Sequence, residues 1–250
     1  MKILVPVKQV IDPSFPVRLK DDCSGLDFDM VRLVMNPYDE VALEEALQWR
    51  ENGRAESIVA VSCGSESSLD VLRNALAMGA DRALLIETRY AISPLVLARL
   101  LKAVALIERC DVIFIGRQGM GNDGNQVAPM LAALLDWSSI SFAEAMTLSE
   151  DGQNIIAQVR NDGDGDMLTA PLPAVVSIEL GMKVPRYATM QNLIKAKKAV
   201  IPKKQADALG VDLEMKVAVV QFRRPPERSG GEIVADVSAL LEKLRHNVLE

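Results

Sequence analysis

A chain of 250 residues, 49% apolar and 25% charged, suits one large folded α/β domain, alone or with an extension. A formal charge of −6 and only 4% aromatics argue against a general binder of phosphate backbones and against a stacking surface for single-stranded nucleic acid. Cys23, Cys63 and Cys110 form no CxxC pair, and the one histidine, His246, sits near the C-terminus, so zinc sites, disulfide frameworks and His-based triads fall away.

The first half alternates strand and helix. Ile3–Val7 is a short β-branched run that reads as a buried strand. Asn36-Pro37 opens a helix, Asn as cap and Pro in the first helical position, and Gly53 ends it. Asp39, Glu40, Glu44 and Glu45 enrich its early turns in acid, which suits the positive end of the helix dipole. A strand over Ser57–Cys63, a helix over Ser67–Met78 stopped by Gly79, and a strand over Ala83–Glu87 follow. Ser93-Pro94 then caps a long helix reaching about Arg109, and Asp111–Gly116 is the fourth strand. Such apolar strands separated by helices predict an open, mostly parallel α/β sheet covered on both faces by helices.

The second half changes character. Turn signals at 147–152 and 161–166 separate short strand-like runs, and Pro173–Leu180 is a further strand, which predicts antiparallel strands added to the sheet. Beyond Lys183 the pattern loosens into a lysine-rich helical stretch, an exposed linker around Arg223–Gly231 and a closing amphipathic helix over Glu232–His246. The expected division is a nucleotide-binding core over 1–182 and a C-terminal arm over 183–250 that needs a partner surface. The most apolar runs, such as Val112–Gly116, fall well short of the roughly 20 residues of a membrane-spanning helix, so no direct membrane insertion is expected. The N-terminus carries no signal or transit pattern, which favours a bacterial cytoplasmic protein over one of the mitochondrial matrix.

The densest chemical signal runs through Gly116, Arg117, Gln118, Gly119, Met120, Gly121, Asn122, Asp123, Gly124, Asn125 and Gln126, directly after a buried strand and before an apolar helix, Val127–Leu135. Its glycines let backbone N–H groups approach a phosphate, the helix start adds positive dipole, and Asn and Gln can read a base or ribose. The spacing is neither a P-loop nor a GxGxxG fingerprint, and the pattern fits an ordinary strand-to-helix connection equally well. The loops at Val5-Pro6-Val7 and Val61-Ser62-Cys63-Gly64 leave strand ends on the same predicted side, and three such loops would enclose one nucleotide pocket. Cys63 by itself reads as a buried small hydrophobe. Farther on, Pro185–Met190 precedes a basic helix. An exposed apolar residue beside such a helix suits the docking of an acidic partner, although a solvated basic helix explains the pattern as well.

Taken in order, LVPVKQVID at 4–12, MNPYDEVALEEAL at 35–47, AVSCG at 60–64, NALAMGADRA at 74–83, PAVV at 173–176 and PRYATMQNLIKAKK at 185–198 resemble the beta subunits of electron transfer flavoproteins. The resemblance implies a non-catalytic electron carrier paired with an alpha subunit, with one FAD held mostly by alpha and a structural AMP in beta. It places the AMP contacts at Pro6, Asn36 and Cys63 and along Gly116–Val127. It places a dehydrogenase-docking anchor at Met190, with Tyr187 before it and Lys195, Lys197 and Lys198 beside it. Electrons would arrive from acyl-CoA or other dehydrogenases and leave to a quinone oxidoreductase.

Three departures stand out. Met190 replaces the usual leucine. Pro13, followed by Ser14, replaces an aromatic that would face the flavin, while Tyr38 keeps an aromatic in the other motif. The loop GMGNDGNQVAP lies partway toward the electron-bifurcating branch of the family, which implies an alternative in which a second FAD replaces AMP. An unrelated adenine-nucleotide hydrolase would need a phosphate-activating lysine or an acidic metal-binding pair in that loop, where Asp123 is the only acid.

Overall fold

The β-branched N-terminal run forms β1 (Lys2–Pro6), the strand around which the sheet is organised. The computed structural model describes residues 1–28, 31–90, 92–161, 163, 165–226 and 230–248. Asp162, Asp164 and Ser229 of the predicted turns and linker, and the His246 side chain, lie outside the described residues. A small antiparallel pair, β2 (Gln9–Ile11) and β3 (Leu33–Met35), follows β1 and leads into α1 (Pro37–Glu51). Next come β4 (Ser57–Gly64), α2 (Leu69–Met78), β5 (Arg82–Glu87), α3 (Pro94–Glu108), β6 (Val112–Gly116) and α4 (Val127–Leu135). The second half holds β7 (Ser138–Leu148), β8 (Asn154–Val159), β9 (Asp166–Pro171), β10 (Ala174–Ile178), α5 (Met190–Lys198), β11 (Lys203–Gln205) and α6 (Val237–Val248).

Nine strands form one sheet of order β11-β5-β4-β1-β6-β10-β7-β8-β9. All neighbours are parallel except β7–β8 and β8–β9, the antiparallel additions that the two turn signals predict. The period-2 alternation of the parallel strands sorts two cores. Ile3, Val5, Ile58, Ala60, Val112 and Phe114 point to the face packed by α1 and α2. Leu4, Val59, Val61, Ile113 and Ile115 point to the face packed by α3 and α4.

Helix ends follow local chemistry. The Ser93 hydroxyl accepts the Val96 N–H at 3.4 Å, so α3 is capped as the sequence suggests. Gly79, at φ +131°, ends α2 in a conformation that L side chains rarely adopt. Asn36 does not cap α1 with its side chain, because that amide is used elsewhere, as described below.

By contacts the chain forms two units. One comprises residues 1–18 and 27–219, the other residues 19–26 and 220–250. In the second, Leu19 bridges Leu26 and the Phe222 N–H donates to the Cys23 carbonyl.

Candidate functional site

The chain proceeds outward from β1 through β4 to β5, then crosses back through α3 to β6 on the other side of β1. The loops leaving β1 and β6 therefore diverge, and an open parallel sheet has its crevice at such a switch point, outside the carboxyl ends of the strands. A cavity of about 540 Å³ lies there, within the range of small-molecule sites.

Pro6, Asn36, Cys63, Gly116, Arg117, Gln118, Gly119, Asn122, Gly124, Asn125, Gln126 and Val127 all line it. Met120, Gly121 and Asp123, from the same predicted loop, do not. The Met120 N–H donates to Asn36 Oδ1, just before α1, at 3.2 Å. Asn36 Nδ2 donates to the Gln118 carbonyl at 2.9 Å, so this amide joins α1 to the loop instead of capping the helix. Asp123 is exposed and accepts from Gln118 Nε2 at 2.9 Å. Gly121, Asp123 and Asn125 have φ of +107°, +44° and +37°. Within the loop the Asn122 and Asp123 N–H groups donate to the Gly119 carbonyl at 3.4 and 3.1 Å, closing a turn.

Two polar groups that line the cavity, Asp39 and Asn125, have buried side-chain oxygens. Asp39, on the first turn of α1, accepts the Lys8 N–H at 2.8 Å and is also bonded by the Gly116 N–H and the Asn36 side chain. It thus ties together the exits of β1 and β6. Burial pushes its carboxyl up to about 7 despite those bonds. Gly116 is what allows this approach: a Cβ there would lie 2.3 Å from Asp39 Oδ1 and 2.8 Å from the Tyr38 carbonyl carbon. Tyr38 is accordingly buried beside Gly116. The second group is Asn125, whose Oδ1 is buried with no hydrogen-bond partner. An orphaned buried acceptor costs about 1–3 kcal/mol, so its position calls for a donor from outside the chain.

Arg117 is engaged on the far side of the loop. Its Nη1 donates to Glu179 Oε2 at 2.6 Å and its guanidinium lies 4.7 Å from the Phe142 ring centroid. Lys8 is the cation beside the loop, its Nζ 3.0 Å from where a Gly119 Cβ would be. Burial pushes the Cys63 thiol up to about 12, so it stays protonated, and the residue is half-buried in the cavity wall rather than enclosed in the core.

Sequence reasoning overlooked Lys8, Asp39, Ser68, Thr88 and Arg89 as cavity residues. Thr88 and Arg89 follow β5 directly, so the strand-end rule that found Cys63 would have found them too.

A family model described as the electron transfer flavoprotein domain matches residues 27–209. The chain is 38% identical over 249 residues to a Dictyostelium discoideum protein named electron transfer flavoprotein subunit beta, covering 100% of this chain and 99% of the relative. A protein of the same name from Bradyrhizobium diazoefficiens is 40% identical over 248 residues, covering 98% of each chain. The chain belongs to the beta-subunit family of electron transfer flavoproteins. Another relative, from Arabidopsis thaliana, is named the mitochondrial electron transfer flavoprotein subunit beta and is 39% identical over 246 residues, covering 98% of each chain. The names of these relatives describe electron transfer by a flavoprotein. Among the described residues no helix is long and apolar enough to cross a membrane.

The second group of predicted residues in this electron transfer flavoprotein chain lies apart from the cavity lining, on α5 and its lead-in. Thr189 caps α5, its Oγ1 accepting the Asn192 N–H at 3.2 Å. Ala196 packs inward, and α5 lies on α2. Tyr187 is 98% exposed and Met190 72% exposed, with Lys195, Lys197 and Lys198 exposed on the same helix.

Proposed function

We propose that this chain is the beta half of a heterodimeric electron carrier. It buries AMP in the switch-point cavity, helps an alpha subunit hold one FAD, and docks acyl-CoA or other dehydrogenases so that electrons pass toward a quinone oxidoreductase. The observation that carries the nucleotide reading is the unpartnered, buried Asn125 Oδ1 in the cavity wall.

The residues present fit an adenine nucleotide. The loop from Gly119 to Asn125 offers glycine backbone that a phosphate can approach closely, with the Lys8 ammonium beside Gly119. Asn125 Oδ1 and Gln126 offer side-chain amide chemistry for a base or ribose. Pro6, Cys63 and Val127 supply apolar wall. The flavin, when bound, supplies the redox chemistry, and the protein's part is binding and orientation. Residues 183–250 carry the docking segment and the arm that packs on the alpha subunit. Met190, exposed and flexible, serves as an apolar anchor, and the lysines beside it steer an acidic partner surface.

The test is to co-purify the chain with its alpha partner, denature the complex and identify the released nucleotides. One FAD and one AMP per heterodimer supports the single-flavin carrier. Two FAD and no AMP transfers the chain to the bifurcating branch.

A further inference from the structure

Between β10 and α5 the chain runs along α1, held there by two cations. Lys183 Nζ lies 3.4 Å from Glu45 Oε2. Arg186 does more: its Nε and Nη2 donate to the two Glu44 oxygens at 2.8 and 2.9 Å, its Nη1 and Nη2 donate to Glu51, and its backbone N–H donates to Glu44 Oε2 at 3.2 Å. The Glu44 side chain is only 5% exposed and that of Arg186 32%. Glu44 and Glu51 are two turns apart on α1, so one guanidinium spans both and fixes the chain in position and direction. Met190 follows four residues later, and few contacts other than α2 hold α5. The first turn of the same helix α1 forms the cavity floor through Asp39.

We infer that Arg186 is a positioning residue for the docking segment: its fork onto Glu44 and Glu51 sets where residues 187–198 sit on the rigid body that also holds the nucleotide cavity. This rests on the docking role given to Met190 above. Arginine is required because lysine keeps the charge but cannot reach two carboxylates with a planar fork.

The full chain, produced with its alpha subunit, provides the test. Arg186→Ala should raise amide hydrogen exchange across 187–198 by about tenfold. It should raise KM for a substrate-reduced acyl-CoA dehydrogenase more than it lowers kcat, and leave the flavin spectrum unchanged. Arg186→Lys should fall between Ala and wild type. Glu51→Gln, on the half-exposed partner, should loosen the same segment to a smaller degree, and it decides the matter alone if Arg186→Ala does not assemble. Unchanged exchange in 187–198 overturns the inference. Met190→Ala separates the two ideas. If it leaves KM alone while Arg186→Ala still loosens the segment, docking fails and positioning stands. If it raises KM while the Arg186 and Glu51 variants stay rigid, positioning fails and docking stands.

Discussion

Replacing Asp39 by asparagine keeps the shape at the cavity floor and removes the buried carboxyl that titrates there. In the fold the Asp39 carboxyl is pushed from its ordinary 3.8 up to about 7, chiefly by burial, with the Lys8 and Gly116 N–H groups pulling the other way. Between those values the folded chain keeps a proton that the unfolded chain has released. Stability therefore falls as pH rises through that window, and asparagine, which does not titrate, removes the fall. From pH 5 to pH 7 the difference amounts to somewhat less than two pH units at 1.36 kcal/mol each, or about 2 kcal/mol. Glu40 and Glu45 are also raised by burial; on Glu44 burial acts upward too, but its Arg186 and Gln48 bonds leave it lowered. These groups are common to both proteins and cancel in the comparison. An anionic ligand in the cavity would act in the same direction as burial. The assay is denaturant unfolding of the heterodimer at one protein concentration and at pH 5, 6, 7 and 8. The expected result is that Asp39→Asn gains on wild type by about 2–3 kcal/mol between pH 5 and 8. The lost acceptor shifts the two curves apart by a constant and does not change their slopes. Parallel curves would mean that Asp39 is ionised in the fold throughout, and the account of the buried floor would be wrong.

Two further substitutions probe the cavity lining, with Gly181→Ala as a control. Gly116→Ala places a methyl 2.3 Å from Asp39 Oδ1 and against Tyr38 backbone, which cannot swing away, and should destabilise by about 1–3 kcal/mol. Gly181→Ala, with nothing within 4 Å of its Cβ, should be neutral or stabilising by about 0.4–1 kcal/mol, and equal thermal melts for the two would contradict the packing described. Asn125→Ala removes the orphaned acceptor and should weaken AMP retention by about 1–3 kcal/mol, measured as AMP per heterodimer after dialysis. Undiminished retention would remove Asn125 from the ligand contacts.

The parallel core was readable because each strand is a short, largely β-branched run, and a sheet covered on both faces buries Ile3 and Val5 on one side and Leu4 on the other. The loop at 116–126 was readable because strand ends and glycines announce a backbone that something approaches. What stayed hidden depends on distant pairing. β2, β3 and β11 have only three residues each, too few for periodicity to register. Asn36 has the identity of a helix cap, and only the arrival of Gln118 and Met120, more than 80 residues later, diverts its amide. Arg186 likewise looks like an ordinary surface cation until Glu44 and Glu51 are brought beneath it.

The acids of α1 show the same limit most clearly. Read locally, Asp39, Glu44 and Glu45 look like a favourable charge at a helix start. In the fold all three are buried, and each answers a different part of the chain: Asp39 the exits of β1 and β6, Glu44 the arginine before α5, and Glu45 both Lys183 and the Trp49 Nε1–H at 2.7 Å. Trp49 in turn meets Phe114 of β6 edge to face at 5.1 Å. Apolar residues of similar size would pack at least as favourably, since desolvating a carboxylate costs several kcal/mol before any partner arrives. What they would not do is select particular partners. Directional bonds from one helix, charge-assisted at Glu44, therefore fix both the cavity floor and the lead-in to the exposed helix, so the position of each is set by the same rigid element.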